Sequence, residues 1–164
     1  MRYFKLFRVS HYIKNFLIFL PLLFSGTLLS NRGGVIHCAI ALVCFCLVSS
    51  AIYIFNDIQD KEVDKNHPRK SKRPIASGAV SVQAAVLIIV VLLALCGIIS
   101  VCFLPLASGL FLLVYLAINV LYSLSFKHIP ILDISCVAAG FLIRLMYGAF
   151  VTSIVISNWL YLTD

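Results

Sequence analysis

Asn56-Asp57-Ile58-Gln59-Asp60-Lys61-Glu62-Val63-Asp64 closes a long apolar run, and its reading decides the fold. The run before it, residues 35–55, carries no Asp, Glu, Lys or Arg. A membrane-spanning helix needs roughly 20 consecutive apolar residues, so 35–57 reads as a span that ends in an acidic cluster at the membrane surface. Of the six Asp and Glu residues in the chain, Asp57, Asp60, Glu62 and Asp64 are all here. A basic run, His67-Pro68-Arg69-Lys70-Ser71-Lys72-Arg73-Pro74, follows at once.

Working outward, similar apolar runs recur along the whole length. With 62% hydrophobic and 12% charged residues, the composition excludes an ordinary soluble domain. The pattern predicts spans near 13–30, 35–57, 82–104, 106–125 and 131–151, with a sixth beginning near 153. The expected fold class is therefore all-α, a polytopic transmembrane helix bundle occupying 1–164 as one unit. No cleavable signal peptide is read, because the first apolar segment runs on without a small-residue cleavage site.

The formal net charge of +7 is distributed as topology predicts rather than as nucleic-acid binding would. Arg2, Lys5, Arg8 and Lys14 precede or open the first span. Lys61, Lys65, Arg69, Lys70, Lys72 and Arg73 share the loop after the second, and Lys127 lies in the loop after the fourth. Only Arg32 lies on the opposite side, and Arg144 lies inside a span. The positive-inside rule puts the N-terminus and the acidic loop in the cytoplasm, with the plasma membrane as the expected location. Cys38, Cys44, Cys46, Cys96, Cys102 and Cys136 all fall in apolar segments without Cys-x-x-Cys spacing, which reads as small hydrophobes rather than a zinc site or disulfides.

Asn31-Arg32-Gly33-Gly34 reads as a tight outer turn, Pro105 as another, and Lys127-His128-Ile129-Pro130 as a short inner one. The loop from about Lys65 to Val80 is longer and polar, and Pro68 and Pro74 argue against a continuous helix through it. Ser81 is placed to cap the helix that follows.

If the second span continues through the acidic motif, Asp57, Asp60 and Asp64 fall at i, i+3 and i+7 and share a helix face bordered by Asn56. Glu62 points elsewhere, to solvent. Three like charges on one face repel, and Mg2+ is the natural counter-cation. It takes oxygen ligands from one or two carboxylates and shares its remaining positions with water and phosphate. A metal there would neutralise a diphosphate and the charge developing on a leaving group. The basic run reads as phosphate contact for Arg69 and Arg73, and equally as a topology or lipid-headgroup signal for Lys70 and Lys72. Asp133 and Arg144, eleven residues apart, share a face but lie roughly 16 Å apart along a helix, so they cannot pair. Intramembrane ionisable residues usually face a bundle interior or water-filled cavity, and both are expected to do so.

Asn56-Asp57-x-x-Asp60-x-x-x-Asp64 followed by Arg73-Pro74-Ile75-Ala76-Ser77-Gly78 closely resembles the first aspartate-rich motif of the UbiA superfamily of intramembrane prenyltransferases. Tyr122-Ser123-x-x-x-Lys127 is similar to that family's Tyr-x-x-x-x-Lys element, and the stretch from Ile131 to Arg144 and Gly148 continues the likeness. Lys14-Asn15-Phe16, Pro21-Leu22-Leu23-Phe24-Ser25-Gly26 and His67-Pro68-x-Lys70-x-x-Arg73-Pro74 are similar to the polyprenyl-phosphate (decaprenyl-phosphate) phosphoribosyltransferases within it. The resemblance implies helices around a central cavity. It implies Asp57, Asp60 and Asp64 as catalytic Mg2+-diphosphate ligands with Asn56 assisting, and Lys14 and Asn15 facing the donor. It implies Arg69, Lys70 or Arg73 on phosphate, with Tyr122 and Lys127 on the same anion from the opposite wall. The cavity-facing Arg144 joins the substrate-binding set.

The implied partners are membrane lipids, a phosphorylated small-molecule donor and a polyprenyl phosphate or diphosphate, with no nucleic acid. The implied reaction transfers phosphoribosyl from phosphoribosyl diphosphate to a polyprenyl phosphate. An aromatic prenyltransferase using a polyprenyl diphosphate is the alternative within the superfamily, and a non-catalytic membrane subunit or transporter fragment is the alternative outside it. Family members are longer and carry a second polar motif on a later cytoplasmic loop. The chain is accordingly expected to be an N-terminal half truncated after about five to six helices (a fragment, a truncated gene product or half of a two-chain assembly) and inactive alone, with a second-half chain or a homo-oligomer as the expected assembly.

Overall fold

The second apolar run forms the axis of the protein. In the computed structural model, which describes residues 6–126 and 130–154, it is one helix, α2 (Arg32–Gln59). It is preceded by a 3-10 segment, Val9–Phe19, that continues into α1 (Leu20–Phe24). It is followed by α3 (Lys61–Lys65), α4 (Val82–Phe103), α5 (Gly109–Leu121), a π-helical turn (Tyr122–Phe126) and α6 (Pro130–Thr152). Among the described residues, four helical stretches are long and apolar enough to cross a membrane: Arg32–Gln59, Val82–Phe103, Leu106–Leu124 and Ile131–Thr152. The chain is an integral membrane protein of all-α type.

The first segment differs from the expected helix over 13–30. Its helical part stops at Phe24, and the chain turns through Gly26 at φ 69°. Pro21 enters at the start of α1, where its missing N–H costs nothing, and Val9–Phe19 is wound more tightly than an α-helix. A 3-10 coil rises about 2.0 Å per residue against 1.5 Å, so the short segment still covers about 30 Å, close to the hydrocarbon thickness. Residues 31–34 also differ from the expected turn. The Asn31 side chain accepts from Gly34 N–H at 2.8 Å and caps α2, so Arg32, Gly33 and Gly34 form its first turn. The expected sixth span near 153 lies mostly outside the described residues.

Burial separates the core helix from the lipid-facing ones. The apolar window of α2 is 56% buried, whereas those of α4 and of the Leu106–Leu124 stretch are 17%. Helix α4 is apolar all round, and its exposed Leu87, Val90, Val91, Ile98 and Val101 suit lipid contact. Helix α2 packs against α4, α5, α6 and the N-terminal segment, and α6 lies along that segment in turn. Cys44 and Cys96 meet where α2 and α4 cross, each thiol directed at the other's carbonyl, at 3.9 and 3.5 Å. Gly148 of α6 faces the main chain of Ile18 so closely that a Cβ would fall onto the Ile18 carbonyl oxygen.

Two apolar clusters stack along α2. One joins Ile18, Leu22, Cys44, Phe45, Tyr115 and Tyr147. The other, nearer the acidic motif, joins Leu6, Ala51, Ile54, Ile75, Val80 and Ala85. The second cluster explains the conformation of the long loop. After a 3-10 turn at Lys70–Lys72, the residues Pro74, Ile75 and Ala76 are buried. The chain then reverses through Gly78 at φ 76°, and Val80 N–H bonds the Pro74 carbonyl at 2.9 Å. Ser81 caps α4, accepting from Ala84 N–H at 3.2 Å. A polar loop is thus tied down by two apolar side chains.

Candidate functional site

Helix α2 ends at Gln59, and Asp60 is the joint that leads into α3. The turn is shallow: Asp60 N–H bonds the Asn56 carbonyl at 2.9 Å, and Asp64 N–H bonds the Asp60 carbonyl at 2.8 Å. The i, i+7 relation therefore survives, and Asp57 and Asp64 point the same way. Their side chains are 2% and 1% exposed. Burying a carboxylate costs several kcal/mol unless cations and hydrogen bonds offset it.

Arginine supplies that compensation. A single nitrogen of Arg73, Nη1, donates to Asp57 Oδ1 at 3.1 Å and to Asp64 Oδ2 at 2.6 Å. Arg8 Nη2 donates to the same Asp57 oxygen at 2.5 Å, and Lys70 Nζ stands 4.0 Å from Asp64 Oδ1. Three cations thus surround two buried carboxylates. Asp60 takes a separate position, accepting from Asn56 Nδ2 at 3.3 Å, while Asn56 Oδ1 accepts from Ser123 Oγ at 3.4 Å. The π-helical turn that carries Ser123 also presents Tyr122, whose hydroxyl donates to Asp133 Oδ1 at 2.7 Å. Glu62 is exposed and paired with Lys65 at 2.8 Å, and that hydrogen bond holds its carboxyl below the usual range.

The structure gathers Asn56, Asp57, Asp60, Asp64, Lys70 and Arg73 at one end of the bundle. It does not bring Asn15 or Arg144 to them. Asn15 is buried against Ser49 and Cys46 of α2, and Ser49 lies eight residues before Asp57, about 12 Å along the helix. There Arg144 Nε donates to Asn15 Oδ1 at 2.9 Å, Nη1 to the Gly140 carbonyl at 2.6 Å and Nη2 to Tyr115 Oη at 3.0 Å. Phe45 and Tyr115 flank the guanidinium, with ring centroids 4.8 and 5.0 Å away. Arg144 does face the bundle interior, but as a clamp holding the N-terminal segment, α5 and α6 together. Lys14 lies over Phe141 at 5.9 Å, on the same level. Asp133, expected to face a cavity, is exposed. Arg69 is exposed too, its main-chain N–H bonded to His67 at 3.2 Å. Lys127 lies outside the described residues.

Arg8 was not among the expected site residues. In the sequence it counts only as one of the basic residues that orient the first span, and its left-handed backbone, φ 48° and ψ 49°, has no signature there. The preceding turn is held to α2 by Ser50 Oγ, which bonds the Phe7 carbonyl at 3.3 Å and the Tyr12 hydroxyl at 2.6 Å. That anchoring carries the Arg8 guanidinium to Asp57.

Among the described residues, no group of three or more His, Cys, Asp or Glu converges as metal ligands. Two buried carboxylates converge, however, and the place between them already holds a cation, the Arg73 guanidinium. Hard oxygen donors in this number suit Mg2+, which takes one or two carboxylates and completes its shell with water and phosphate. In type and number the two carboxylates fit the ion, at the place the guanidinium occupies.

Comparison with known proteins identifies the family. The model of the UbiA prenyltransferase family matches residues 18–163. The decaprenyl-phosphate phosphoribosyltransferase of Corynebacterium glutamicum is 38% identical over 159 residues, covering 94% of this chain and 47% of that protein. The enzyme of the same name from Mycolicibacterium smegmatis is 35% identical, over 94% of this chain and 49% of that protein. The chain thus spans about half the length of these curated relatives. Among solved structures, a UbiA homolog from Archaeoglobus fulgidus bound to DMAPP and Mg2+ superposes with a TM-score of 0.82 at 22% identity, over 98% of this chain and 58% of that one. That likeness carries the fold, and the family match covers most of the sequence: the chain belongs to the UbiA prenyltransferase family.

Proposed function

We propose that residues 1–164 form the N-terminal part of a Mg2+-dependent membrane transferase that moves phosphoribosyl from phosphoribosyl diphosphate to a polyprenyl phosphate. The observation that carries this reading is the pair of buried carboxylates, Asp57 and Asp64, set among Arg8, Arg73 and Lys70. Such a cluster can hold a metal and an anionic donor together. The names of the two relatives favour phosphoribosyl transfer. The DMAPP-bound homolog keeps a prenyl diphosphate donor as the second reading.

In the proposed reaction, a lipid phosphate oxygen forms a bond to the anomeric carbon as the carbon–diphosphate bond breaks. Mg2+ held by Asp57, Asp60 and Asp64, with Asn56, would supply charge neutralisation to the departing diphosphate. Arg73 binds phosphate oxygens through its fork of N–H donors, whereas Lys70 acts as a point charge. Arg69, exposed on the same loop, and Lys127 are proposed to meet the same anion. Tyr122, now bonded to Asp133, lines its far side. Lys14, Asn15 and Arg144 lie deeper, so any contact they make is with a part of the substrate below the phosphates. The acidic loop faces the cytoplasm, the side on which a soluble phosphorylated donor is available. The remaining wall of the site would come from further helices, on this chain or a second one.

The test is a thermal-shift measurement in detergent with Mg2+ and phosphoribosyl diphosphate, on the wild type and on Asp57→Asn and Asp60→Asn. A rise in melting temperature that needs both ligands and is lost in the variants is the expected result. An equal response from all three proteins refutes the reading and favours a non-catalytic membrane subunit. Transfer assays with radioactive phosphoribosyl diphosphate against radioactive prenyl diphosphate then separate the two donors.

A further inference from the structure

We infer that Arg73 is the internal counter-cation of the acidic motif, and that it competes with the metal for the same carboxylate oxygens. The inference rests on the magnesium reading above and adds to it an exchange: Arg73 leaves the Asp57–Asp64 pair as a divalent ion enters, and turns to the phosphate that comes with it.

The geometry carries this in three steps. First, Arg73 Nη1 alone bonds both Asp57 Oδ1 and Asp64 Oδ2, so it occupies the point between the two carboxylates that a shared metal would need. A divalent ion beside a guanidinium on the same oxygens is repelled by it. Second, the carboxylates are almost wholly buried, while the Arg73 side chain is 24% exposed. The acids are fixed and the base has room to move. Third, the movement is confined to the side chain. Pro74 and the fully buried Ile75 anchor the main chain next to Arg73, Val80 N–H closes the loop onto Pro74, and Arg73 N–H bonds the Lys70 carbonyl at 2.9 Å. Rotation of the side chain keeps the guanidinium within the mouth of the site, where a diphosphate offers the planar, bidentate partner it prefers.

The exchange has a reason in stability. Two buried carboxylates with no cation between them would be strongly destabilising. Arg73 lets the motif fold without metal, and the cost is a weaker metal site until phosphate arrives to take the guanidinium. Mg2+ alone should therefore bind weakly, and Mg2+ with the donor strongly.

Mn2+, which accepts the same oxygen ligands, is the probe. Its binding to the 164-residue chain in detergent is measured by the loss of the free-ion electron paramagnetic resonance signal, for the wild type, Arg73→Gln and Arg73→Lys. Arg73→Gln should bind Mn2+ at least about tenfold more tightly than the wild type, because the two charge-assisted hydrogen bonds to Asp57 and Asp64 no longer have to break. Arg73→Lys, which keeps the charge, should stay close to the wild type. Unchanged or weaker binding in Arg73→Gln overturns the counter-cation role and leaves the metal site standing. Absence of Mn2+ binding in the wild type and in Arg73→Gln overturns both. If Arg73→Gln unfolds without metal, recovery of its helical circular dichroism on adding Mg2+ supports the role, and failure to recover overturns it.

Discussion

Gly148→Ala is the sharpest test of how the N-terminal segment is seated. A Cβ at this position lands on the Ile18 carbonyl oxygen, with the Ile18 carbonyl carbon and Cα also well inside contact. The opposing atoms are main chain, so no rotamer change relieves the overlap, and α6 must separate from the 3-10 segment. That contact is surrounded by buried Ile18, Leu22, Tyr147 and Val151, and the Cys38 thiol already reaches the same carbonyl at 3.6 Å. Overpacking a close contact costs about 1–3 kcal/mol, and a rigid main-chain partner puts the cost at the upper end, about 3 kcal/mol. Replacing a helical glycine by alanine returns up to about 1 kcal/mol, leaving a net loss of about 2–3 kcal/mol. For a chain of this size, that corresponds to a fall of about 4–12 °C in melting temperature. Gly97→Ala is the matched control, since Gly97 lies within α4 and a Cβ there meets nothing within 4 Å. Thermal unfolding in one detergent, followed by circular dichroism, compares the two. Equal melting temperatures for Gly148→Ala and the wild type would refute the close approach of α6 to Ile18.

Arg144→Ala removes three hydrogen bonds and the stacking on Phe45 and Tyr115. At about 0.6 kcal/mol for a typical hydrogen bond within a membrane protein, plus about 0.5–1 kcal/mol for the aromatic contacts, the expected loss is about 2–3 kcal/mol in thermal unfolding. Arg144→Lys should recover little of it, because one ammonium cannot reach partners on three elements; full recovery would show that charge alone matters there. Ile75→Ala should cost about 2–4 kcal/mol as a large-to-small core change and raise amide hydrogen exchange over residues 73–80. Unchanged exchange there would mean that the second apolar cluster does not hold the loop.

What the sequence made legible and what it hid follow from the range of the interactions. The spans of α2, α4 and α6 were readable because a membrane helix is specified by local hydropathy alone. The Ser81 cap and the lack of a continuous helix after Lys65 were also local matters. The i, i+3, i+7 spacing likewise predicted a shared face for Asp57, Asp60 and Asp64; the structure keeps it for Asp57 and Asp64 through the joint at Asp60, whose own carboxylate turns to Asn56. The partners of those acids were not local. Arg8 lies 49 positions from Asp57, and the spacing of a motif says nothing about a residue that distant. Arg144 was singled out for its charge, but its bond to Asn15 spans 129 positions. The first span was misjudged in length because hydropathy does not register the difference between a 3-10 and an α coil.

The basic loop shows how burial decides between two readings of one charge run. Six cations in the segment that follows α2 suffice as a topology signal, and such a signal asks nothing of their positions. Arg73 cannot be explained that way, because it is bonded to two acids that are almost fully buried, and its neighbours Pro74 and Ile75 are themselves core. Arg69 and Lys72, exposed on either side of Lys70, meet the demands of topology and of passing anions alike. Lys70 lies between these cases, near Asp64 yet 47% exposed. Partners rank the three: Arg73 is bonded to both buried acids, Lys70 stands 4.0 Å from one of them, and Arg69 is exposed on the surface, which is an order of structural commitment. A charge that must balance buried carboxylates is bound to the fold until another cation replaces it. One that is already free can meet an incoming phosphate at once. If the proposed donor binds here, this gradient favours capture by the outer residues first, followed by transfer of Arg73 from carboxylate to phosphate.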